Sequence, residues 1–394
     1  MNIPYTFINT HDDLVSFHKQ NANVDWLCFD TEFIGEKRFY TQLCLIQVGT
    51  EHGNYLIDPI ELDNLQPFLD LIADPNILVI THAGENDYRI LYKQYDTLPN
   101  NIFDTQIAAA FAGYNYPVSF RKLVDSELNV KLRKSYTVAD WGKRPLDEET
   151  IGYALNDIIY LHELWQRLRT RLLSNDRLHW AEEEFAPLET GDFYYRDPDL
   201  EALKSNLMRN LNRTEKVFLV RLFRWRRDIA ERKNKSKEMI LSSKLFGHIV
   251  RSMRSGKKAL QQNRRFPSHL ADRYWDVFQE MYQQPVTDDD LEVLSRMPRD
   301  EKSDPRSDLL MEILYDIIKF RCLEYEVDVN MALPRGDFKQ IKSDPGHAVQ
   351  LFSHSWRKEL FGDAFTEWLQ HPEKLHIDID SNQIALHLPV QESR

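Results

Sequence analysis

Apolar residues in the first 110 positions come in short runs that polar turns or helical spacing separate. The runs predicted to be strands are 26–30, 43–48, 55–58, 77–81 and 102–104. Short apolar runs bounded by turn residues are typical of buried strands. The first three leave no room for helices between them, which indicates antiparallel pairing, whereas strand and helix alternate from Ile77, with a helix from about Glu85. The pattern predicts an α/β domain with a mixed sheet covered by helices.

Helical spacing dominates the rest of the chain. Apolar positions predict one long amphipathic helix over 147–174, and the Gly/Asp/Pro-bearing stretch 191–199 breaks the pattern at a predicted boundary. Alternation over 375–390 predicts a C-terminal hairpin. The predicted domains are an α/β domain over 1–190, a linker over 191–207, small all-α domains over 208–286 and 300–370, and a hairpin with a tail over 371–394.

Composition limits the class of protein. The chain has 394 residues, 42% of them hydrophobic, which suffices for two or three domains with their own cores. Its three cysteines are widely spaced without a CxxC pair, so the sequence predicts neither a disulfide framework nor a zinc site. No apolar run is long enough for a membrane span, and the start lacks a signal peptide. We expect a cytoplasmic protein with no membrane partner.

Charge is distributed unevenly along the chain. The net charge of −12 argues at first against a polyanionic partner. By region, however, residues 1–200 carry −15, residues 201–280 carry +12 and residues 281–394 carry −9. One basic block between acidic neighbours is the pattern expected of a segregated nucleic-acid surface.

Carboxylates stand at three points of the α/β region. Asp30 and Glu32 end an apolar run, and their alternation points both to one face of a strand. Asp87 follows the run 77–81 at the start of a helix, and Tyr153 and Asp157 lie one helical turn apart. Each position alone is weak evidence, because surface or capping acids are common. Together they suit a two-metal phosphodiesterase, in which carboxylates supply hard oxygen ligands.

These residues and their surroundings resemble the DEDD superfamily of 3′-5′ exonucleases, tyrosine subclass, and within it the ribonuclease D family. The matching segments are FDTEF, FYTQLCLIQVG, THAGENDYRIL and DWGKRPLDEETIGYALNDIIYLHELW. They cover most of residues 20–170. One departure is Glu85-Asn86, where family members often have Ser-Glu. The resemblance implies a ribonuclease H-like fold.

The resemblance also implies roles for the five residues. Asp30, Glu32, Asp87 and Asp157 would bind two divalent cations, Mg²⁺ or Mn²⁺, and Tyr153 would orient the attacking water. The neighbours that are candidates for touching the 3′ nucleotide are Thr31, Phe33, Gln42 and His82. Purely structural roles for these four neighbours are at least as well supported.

The helical region resembles the helicase-and-RNase-D C-terminal (HRDC) domain, most closely over 208–285. The second stretch, 300–370, resembles a diverged and acidic copy. The candidates for RNA phosphate contact in the basic block are Arg226, Arg227, Lys233, Lys235, Lys237, Lys244, Arg251, Arg254, Lys257 and Lys258. A solvated charged face is the alternative, which the excess of +12 weakens.

The function implied is a metal-dependent 3′-5′ exoribonuclease that releases 5′-mononucleotides and trims structured RNA, tRNA precursors above all. We expect a monomer without an obligate protein partner. A DNA exonuclease of proofreading or repair type and a catalytically inactive RNA-binding module remain alternative functions.

A metal site formed by His376, Asp378, Asp380 and His387 is rejected in favour of an exposed hairpin face, and Cys28 and Cys44 are assigned to core packing.

Overall fold

The computed structural model describes residues 3–132, 139–297, 305–344, 346–370, 376–380 and 383–387. By contact density the chain divides into two compact units. The first unit comprises Met1–Glu32, Leu43–Tyr194 and Glu301–Arg394, and the second comprises Phe33–Gln42 and Tyr195–Asp300.

The apolar runs near the start of the chain form a six-stranded mixed sheet. Its strands are β1 Thr6–Ile8, β2 Trp26–Ile34, β3 Gln42–Thr50, β4 Gly53–Ile57, β5 Leu78–Thr81 and β6 Ile102–Asp104, in the spatial order β1-β4-β3-β2-β5-β6. Strands β3 and β4 pair antiparallel, while β5 runs parallel to both β2 and β6. The predicted mixed sheet is therefore confirmed. The short edge strand β1, parallel to β4, was not predicted.

Helices cover this sheet. They are α1 His11–Asn21, α2 Gln66–Ala73, α3 Glu85–Tyr95, α4 Thr105–Ala110, α5 Phe120–Leu128, α6 Glu148–Asn156, α7 Leu161–Ser174 and α8 Leu178–Phe185. Two 3₁₀ turns, Ala186–Glu189 and Gly191–Tyr194, follow. Several helices begin at polar caps, as at Ser119 and Asp147, whose side chains accept from the backbone N–H groups of Lys122 and Thr150. The helix predicted from Glu85 begins at that residue.

The prediction of a single long helix over 147–174 is wrong. The helix is interrupted between Asn156, where α6 ends, and Leu161, where α7 begins. At the break the N–H of Ile158 donates to the carbonyl of Leu155 at 3.2 Å, and that of Leu161 donates to Ile158 at 3.1 Å. Such bonds between residues three apart tighten the turn and end the regular α-helical ladder. Asp157 therefore caps the C-terminus of α6 and does not lie within a continuous helix.

The second unit is helical apart from the β2–β3 tip. Its helices are α9 Leu200–Leu203, α10 Arg213–Arg232, α11 Lys237–Ile240, α12 Phe246–Ser252, α13 Lys257–Gln261, α14 Ser268–Gln283 and α15 Asp288–Ser295, with 3₁₀ turns at Asn206–Asn210 and Ser243–Leu245. Helix α10 begins with a capping box between Asn212 and Glu215. Phe218, Leu219 and Leu222 on α10 pack into a core of this unit's own.

Residues 305–370 share the hydrophobic core of the first unit. Their helices are α16 Pro305–Glu324, α17 Val329–Ala332, α18 Arg335–Ser343, α19 Gly346–Phe352 and α20 Ser355–Gln370, the last kinked at Gly362. The ring of Trp356 packs edge-on against Phe111 with centroids 4.9 Å apart, and the indole N–H of Trp356 donates to Glu184 at 2.7 Å. The N–H of Asp328 donates to the carbonyl of Ala110 at 3.0 Å. This helical run therefore completes the body that contains the sheet.

Two strands near the end of the chain form an antiparallel pair. Strand β7, His376–Asp380, pairs with β8, Gln383–His387, which confirms the predicted hairpin. Only the backbone of these two strands is described, so the rejected metal site, which includes His376, is not tested. Within the described part of the chain, no helix is long and apolar enough to cross a membrane.

Candidate active site

Strand β2 brings two carboxylates to the site. The strand lies next to β3 and β5 and is mostly buried, with Leu27 and Phe29 in the core. Asp30 and Glu32 follow on one face of its second half, as alternation requires. Thr31 points the other way, is buried, and its hydroxyl donates to the Oδ1 atom of Asp87. The side chain of Thr31, a candidate for substrate contact, is thus hydrogen-bonded to the carboxylate of Asp87.

A tight turn between β5 and α3 positions Asp87. Ala83 has a left-handed backbone with φ of 59°, and a Cβ on Gly84 would lie 2.5 Å from Thr81 Oγ1, so only glycine fits the second position. The buried carboxylate of Asp104 accepts from the N–H groups of Ala83 at 3.1 Å and Gly84 at 2.8 Å. It also caps α4. Asp104 therefore joins the turn before Asp87 to the end of β6.

The carboxylates of Asp30, Glu32 and Asp157 converge. One oxygen from each lies within 4.8 Å of the others. Burial, and after it the neighbouring carboxylates, raises the pKa of Glu32 to about 8 and that of Asp30 well above its usual range. Burial also raises the pKa values of Asp87 and Asp157, each to about 7.

Such a cluster fits divalent cations. Three half-buried carboxylates without a nearby cation repel one another, and hard oxygen donors are the ligands that Mg²⁺ and Mn²⁺ prefer. Asp30, Glu32 and Asp157 would hold the metal. Asp87, whose charge raises the pKa values of Asp30 and Glu32, lies close enough to act on the same site.

Tyr153 lies beside this cluster on α6. Burial and the charges of Asp157, Glu32 and Asp30 raise the pKa of its hydroxyl well above the usual range, so the phenol is protonated at neutral pH. It interacts with Asp157, and its ring lies 6.1 Å from the ring of Trp141. A half-exposed, protonated hydroxyl next to the carboxylates is suited to orient a water or a phosphate oxygen.

A buried ion pair fixes the segment before α6. The guanidinium of Arg144 donates to Asp58 Oδ1 at 2.7 Å and to the carbonyls of Cys44 at 2.6 Å and Trp141 at 2.9 Å. The side chain of Asp58 is fully buried. Arg144 thus attaches the segment carrying Trp141 to strands β3 and β4 of the sheet. Sequence reasoning missed this pair, although Arg144 lies in the quoted DWGKRPL segment.

The other proposed contacts to the 3′ nucleotide differ in availability. Phe33 is exposed, as base packing would require. Gln42 begins β3 and is half-buried. Both ring nitrogens of His82 have partners, the Thr105 hydroxyl at 3.0 Å and the Val118 carbonyl at 3.1 Å. His82 therefore supports the fold at this edge of the site.

Some cations of the basic block, residues 201–280, pair with carboxylates, whereas others keep their side chains accessible to solvent. Arg226 is fully buried, with Glu201 at 2.6 Å and Glu238 at 3.0 Å, so it leaves the set of predicted RNA contacts. Lys237, Arg254 and Lys257 pair with Glu201, Glu215 and Asp272. The exposed residues Lys233, Lys235, Lys244, Arg251 and Lys258 and the half-buried Arg227 keep more of their side chains available.

The sequence is similar to a 3′-5′ exonuclease family and to ribonuclease D of several bacteria. Residues 5–173 match a family described as 3′-5′ exonuclease. Ribonuclease D of Jannaschia sp. is 29% identical over 91% of this chain and 94% of its own length. Ribonuclease D of Bartonella henselae is 28% identical over 88% of this chain and 86% of its own.

A solved structure shares the architecture. Escherichia coli RNase D, described as an exoribonuclease involved in structured RNA processing, matches with a TM-score of 0.79. The match covers 93% of this chain and 99% of that one at 22% identity. At this identity the match establishes the fold, which is the α/β exonuclease fold with helical C-terminal regions that the sequence predicted.

Proposed function

We propose that the chain is a 3′-5′ exoribonuclease of the ribonuclease D family that trims 3′ ends of structured RNA, tRNA precursors above all, releasing 5′-mononucleotides. The observation that carries this proposal is the convergence of Asp30, Glu32 and Asp157 beside Tyr153. We further propose that it acts in the cytoplasm as a monomer.

The chemistry follows from the donor set. Asp30, Glu32, Asp87 and Asp157 are proposed to hold two divalent cations, Mg²⁺ or Mn²⁺. Bound there, the cations would supply Lewis-acid activation of the terminal phosphodiester and of a water molecule. Thr31 keeps Asp87 oriented through its hydrogen bond. Tyr153, protonated at neutral pH, donates its hydrogen bond to align the attacking oxygen and is not the base.

RNA binding needs positive charge that the exonuclease region lacks. Residues 1–200 carry −15, and residues 201–280 carry +12. We propose that the exposed cations of the basic block contact RNA phosphates, since phosphate contacts dominate the affinity of most nucleic-acid complexes.

The proposal is tested with a 5′-labelled tRNA precursor that carries a short 3′ trailer. The wild type is expected to shorten the trailer one nucleotide at a time with Mg²⁺ or Mn²⁺ and to leave it intact in EDTA. Asp30→Asn should slow cleavage more than about a hundredfold, beyond the loss typical when only an outer-shell partner of a metal is removed. The exposed Asp63→Asn is the matched control and should cleave normally.

A single-stranded DNA of matching sequence is digested in parallel. A ladder on DNA alone would contradict the RNA assignment and favour a DNA exonuclease. Asp30→Asn cleaving at the wild-type rate would contradict the site.

A further inference from the structure

The tip between β2 and β3 is built into the helical second unit. Its residues, Phe33–Gln42, belong to that unit. Phe39 packs against the unit's hydrophobic core. The hydroxyl of Tyr40 donates to Glu231 at 2.6 Å, and the Tyr40 N–H donates to Asn234 Oδ1 at 3.0 Å. These contacts hold the tip against the C-terminal end of α10.

Two turns with left-handed residues are bonded together at this place. Lys37 has φ of 62° and Asn234 has φ of 44°. The N–H of Ser236 donates to the carbonyl of Lys37 at 3.0 Å. Because backbone groups make this bond, it does not use the side chain of Lys37, which is exposed.

Four exposed cations stand on these turns. Lys37 and Arg38 lie on the tip, and Lys233 and Lys235 follow α10. In the described part of the chain, none of the four side chains pairs with a carboxylate. The other charged residues of the two turns and of the last helical turn and a half are Glu36, Arg227, Asp228, Glu231 and Arg232. The local balance is +3, and Tyr40 occupies one oxygen of Glu231.

The chain itself limits how far these cations lie from the carboxylates. Lys37 follows Glu32 by five residues, so their Cα atoms are at most about 18 Å apart at full extension. An RNA strand with its 3′ end at Glu32 reaches this distance within a few nucleotides. Cations on the tip are therefore within reach of the substrate's last phosphates.

We propose that Lys37 and Arg38 form, with Lys233 and Lys235, a composite site for the phosphates of the 3′-terminal RNA segment. The site rests on the proposed function and extends it, because two of its four cations come from the hairpin of the catalytic sheet. Sequence reasoning placed contacts to RNA phosphates only in the helical block, since the tip lies 195 or more positions before Lys233.

The test compares Lys37→Gln/Arg38→Gln with a matched variant, Lys19→Gln/Arg169→Gln. Each removes two exposed cations, and the control pair lies on α1 and α7 of the first unit. Affinity for a 12-nucleotide single-stranded RNA is measured in EDTA over a range of salt concentrations. Glutamine removes the positive charge, keeps a polar, unbranched side chain and makes no new demand on the backbone.

The tip variant is expected to bind on the order of tenfold more weakly at 0.1 M salt. The slope of log affinity against log salt should fall by about 1.4, the value for two lost contacts to a single strand. The control variant should match the wild type in both quantities. Turnover of a dinucleotide with Mn²⁺ should fall by less than the affinity for the 12-nucleotide RNA in the tip variant, because a dinucleotide offers one phosphodiester to the four cations, and it should be unchanged in the control variant.

Two results would overturn this inference while leaving the proposed function intact. One is wild-type affinity in the tip variant, and the other is weaker binding with an unchanged salt slope. A wild type that cleaves neither the dinucleotide nor longer RNA would instead overturn the proposed function.

Discussion

At the scale of single residues, the carboxylates of the site oppose folding of the metal-free protein. Burial and the neighbouring charges raise the pKa of Glu32 to about 8, and burial raises that of Asp157 to about 7. An acid whose pKa is higher in the folded state than in the unfolded one destabilises the fold as pH rises between the two values. A bound cation offsets this cost.

We therefore predict that Asp157→Asn stabilises the metal-free protein. At pH 8 in EDTA the variant should gain about 1–3 kcal/mol of unfolding free energy, and the gain should shrink as pH falls towards 4. With Mn²⁺ the order reverses, because the wild type gains more from the metal. Urea unfolding with and without Mn²⁺ measures both effects. Equal stabilities of variant and wild type at pH 8 would show that the charges do not interact as described.

The candidate site residues could be chosen from the sequence, but the residues that position them could not. Asp30, Glu32 and Asp157 come together in the structure. Their catalytic roles, and those of Asp87 and Tyr153, remain predictions. Thr31 and Asp87 are 56 positions apart, and Arg144 and Asp58 are 86 apart. Local periodicity holds no information about partners so distant in sequence.

At the scale of elements, the spacing of apolar residues continues through the interruption between α6 and α7, so it could not predict that interruption. Ala154, Ile158, Leu161 and Leu168 are buried at helical spacing on both sides of the turn. Neither proline nor glycine marks residues 157–160. The break is visible only in the backbone bonds, and it leaves Asp157 at a helix end, where its carboxylate is not confined to a helical face.

Helix α10 shows why neighbouring arginines differ. Arg226 is fully buried, bonds with Glu201, Glu238 and the Ser243 hydroxyl, and stacks over Phe246 at 4.7 Å. Arg227 is half-buried, and the structure describes no ion pair for it. A run of basic letters in the sequence does not distinguish a structural cation from a surface one.

We predict opposite effects for two matched substitutions on this helix. Arg226→Met should lower the opening free energy of α10 amides by about 1–3 kcal/mol, because it leaves the buried carbonyl of Leu241 without its guanidinium donor and removes the ion pairs with Glu201 and Glu238. Arg227→Met should change it by less than about 0.5 kcal/mol and should weaken RNA binding instead. Native-state hydrogen exchange and RNA titration separate the two. A loss of protection in Arg227→Met as large as in Arg226→Met would refute the distinction.

At the scale of the whole molecule, the first unit is discontinuous in sequence. Residues up to Tyr194 and the described helices of 305–370 contribute to one hydrophobic core. Glu184 accepts from the Trp356 indole at 2.7 Å and from Arg357 at 2.8 Å. Sequence periodicity identified these helices but not the body that they join.

Loss of one buried indole should therefore act on the exonuclease fold. We predict that Trp356→Ala lowers the stability of α4 by about 3–5 kcal/mol, because Trp356 packs against Phe111 beside that helix. Trp275→Ala removes an equally large side chain from the core of the second unit and is the control. Hydrogen exchange of the amides of 105–110 should respond to the first variant alone. Equal protection of α4 in both variants would show that residues 305–370 are energetically separate.

Because this core is discontinuous in sequence, the ribosome makes its parts at different times. A ribosome has made all five proposed catalytic residues once it passes Asp157, yet Phe365, which is buried in the same core, is translated about 200 residues later. At about 5–20 residues per second, this interval is on the order of ten seconds or more. During it the nascent chain exposes apolar surface that the helices of 305–370 later cover. The core of the nuclease therefore stays incomplete until those helices have emerged from the ribosome.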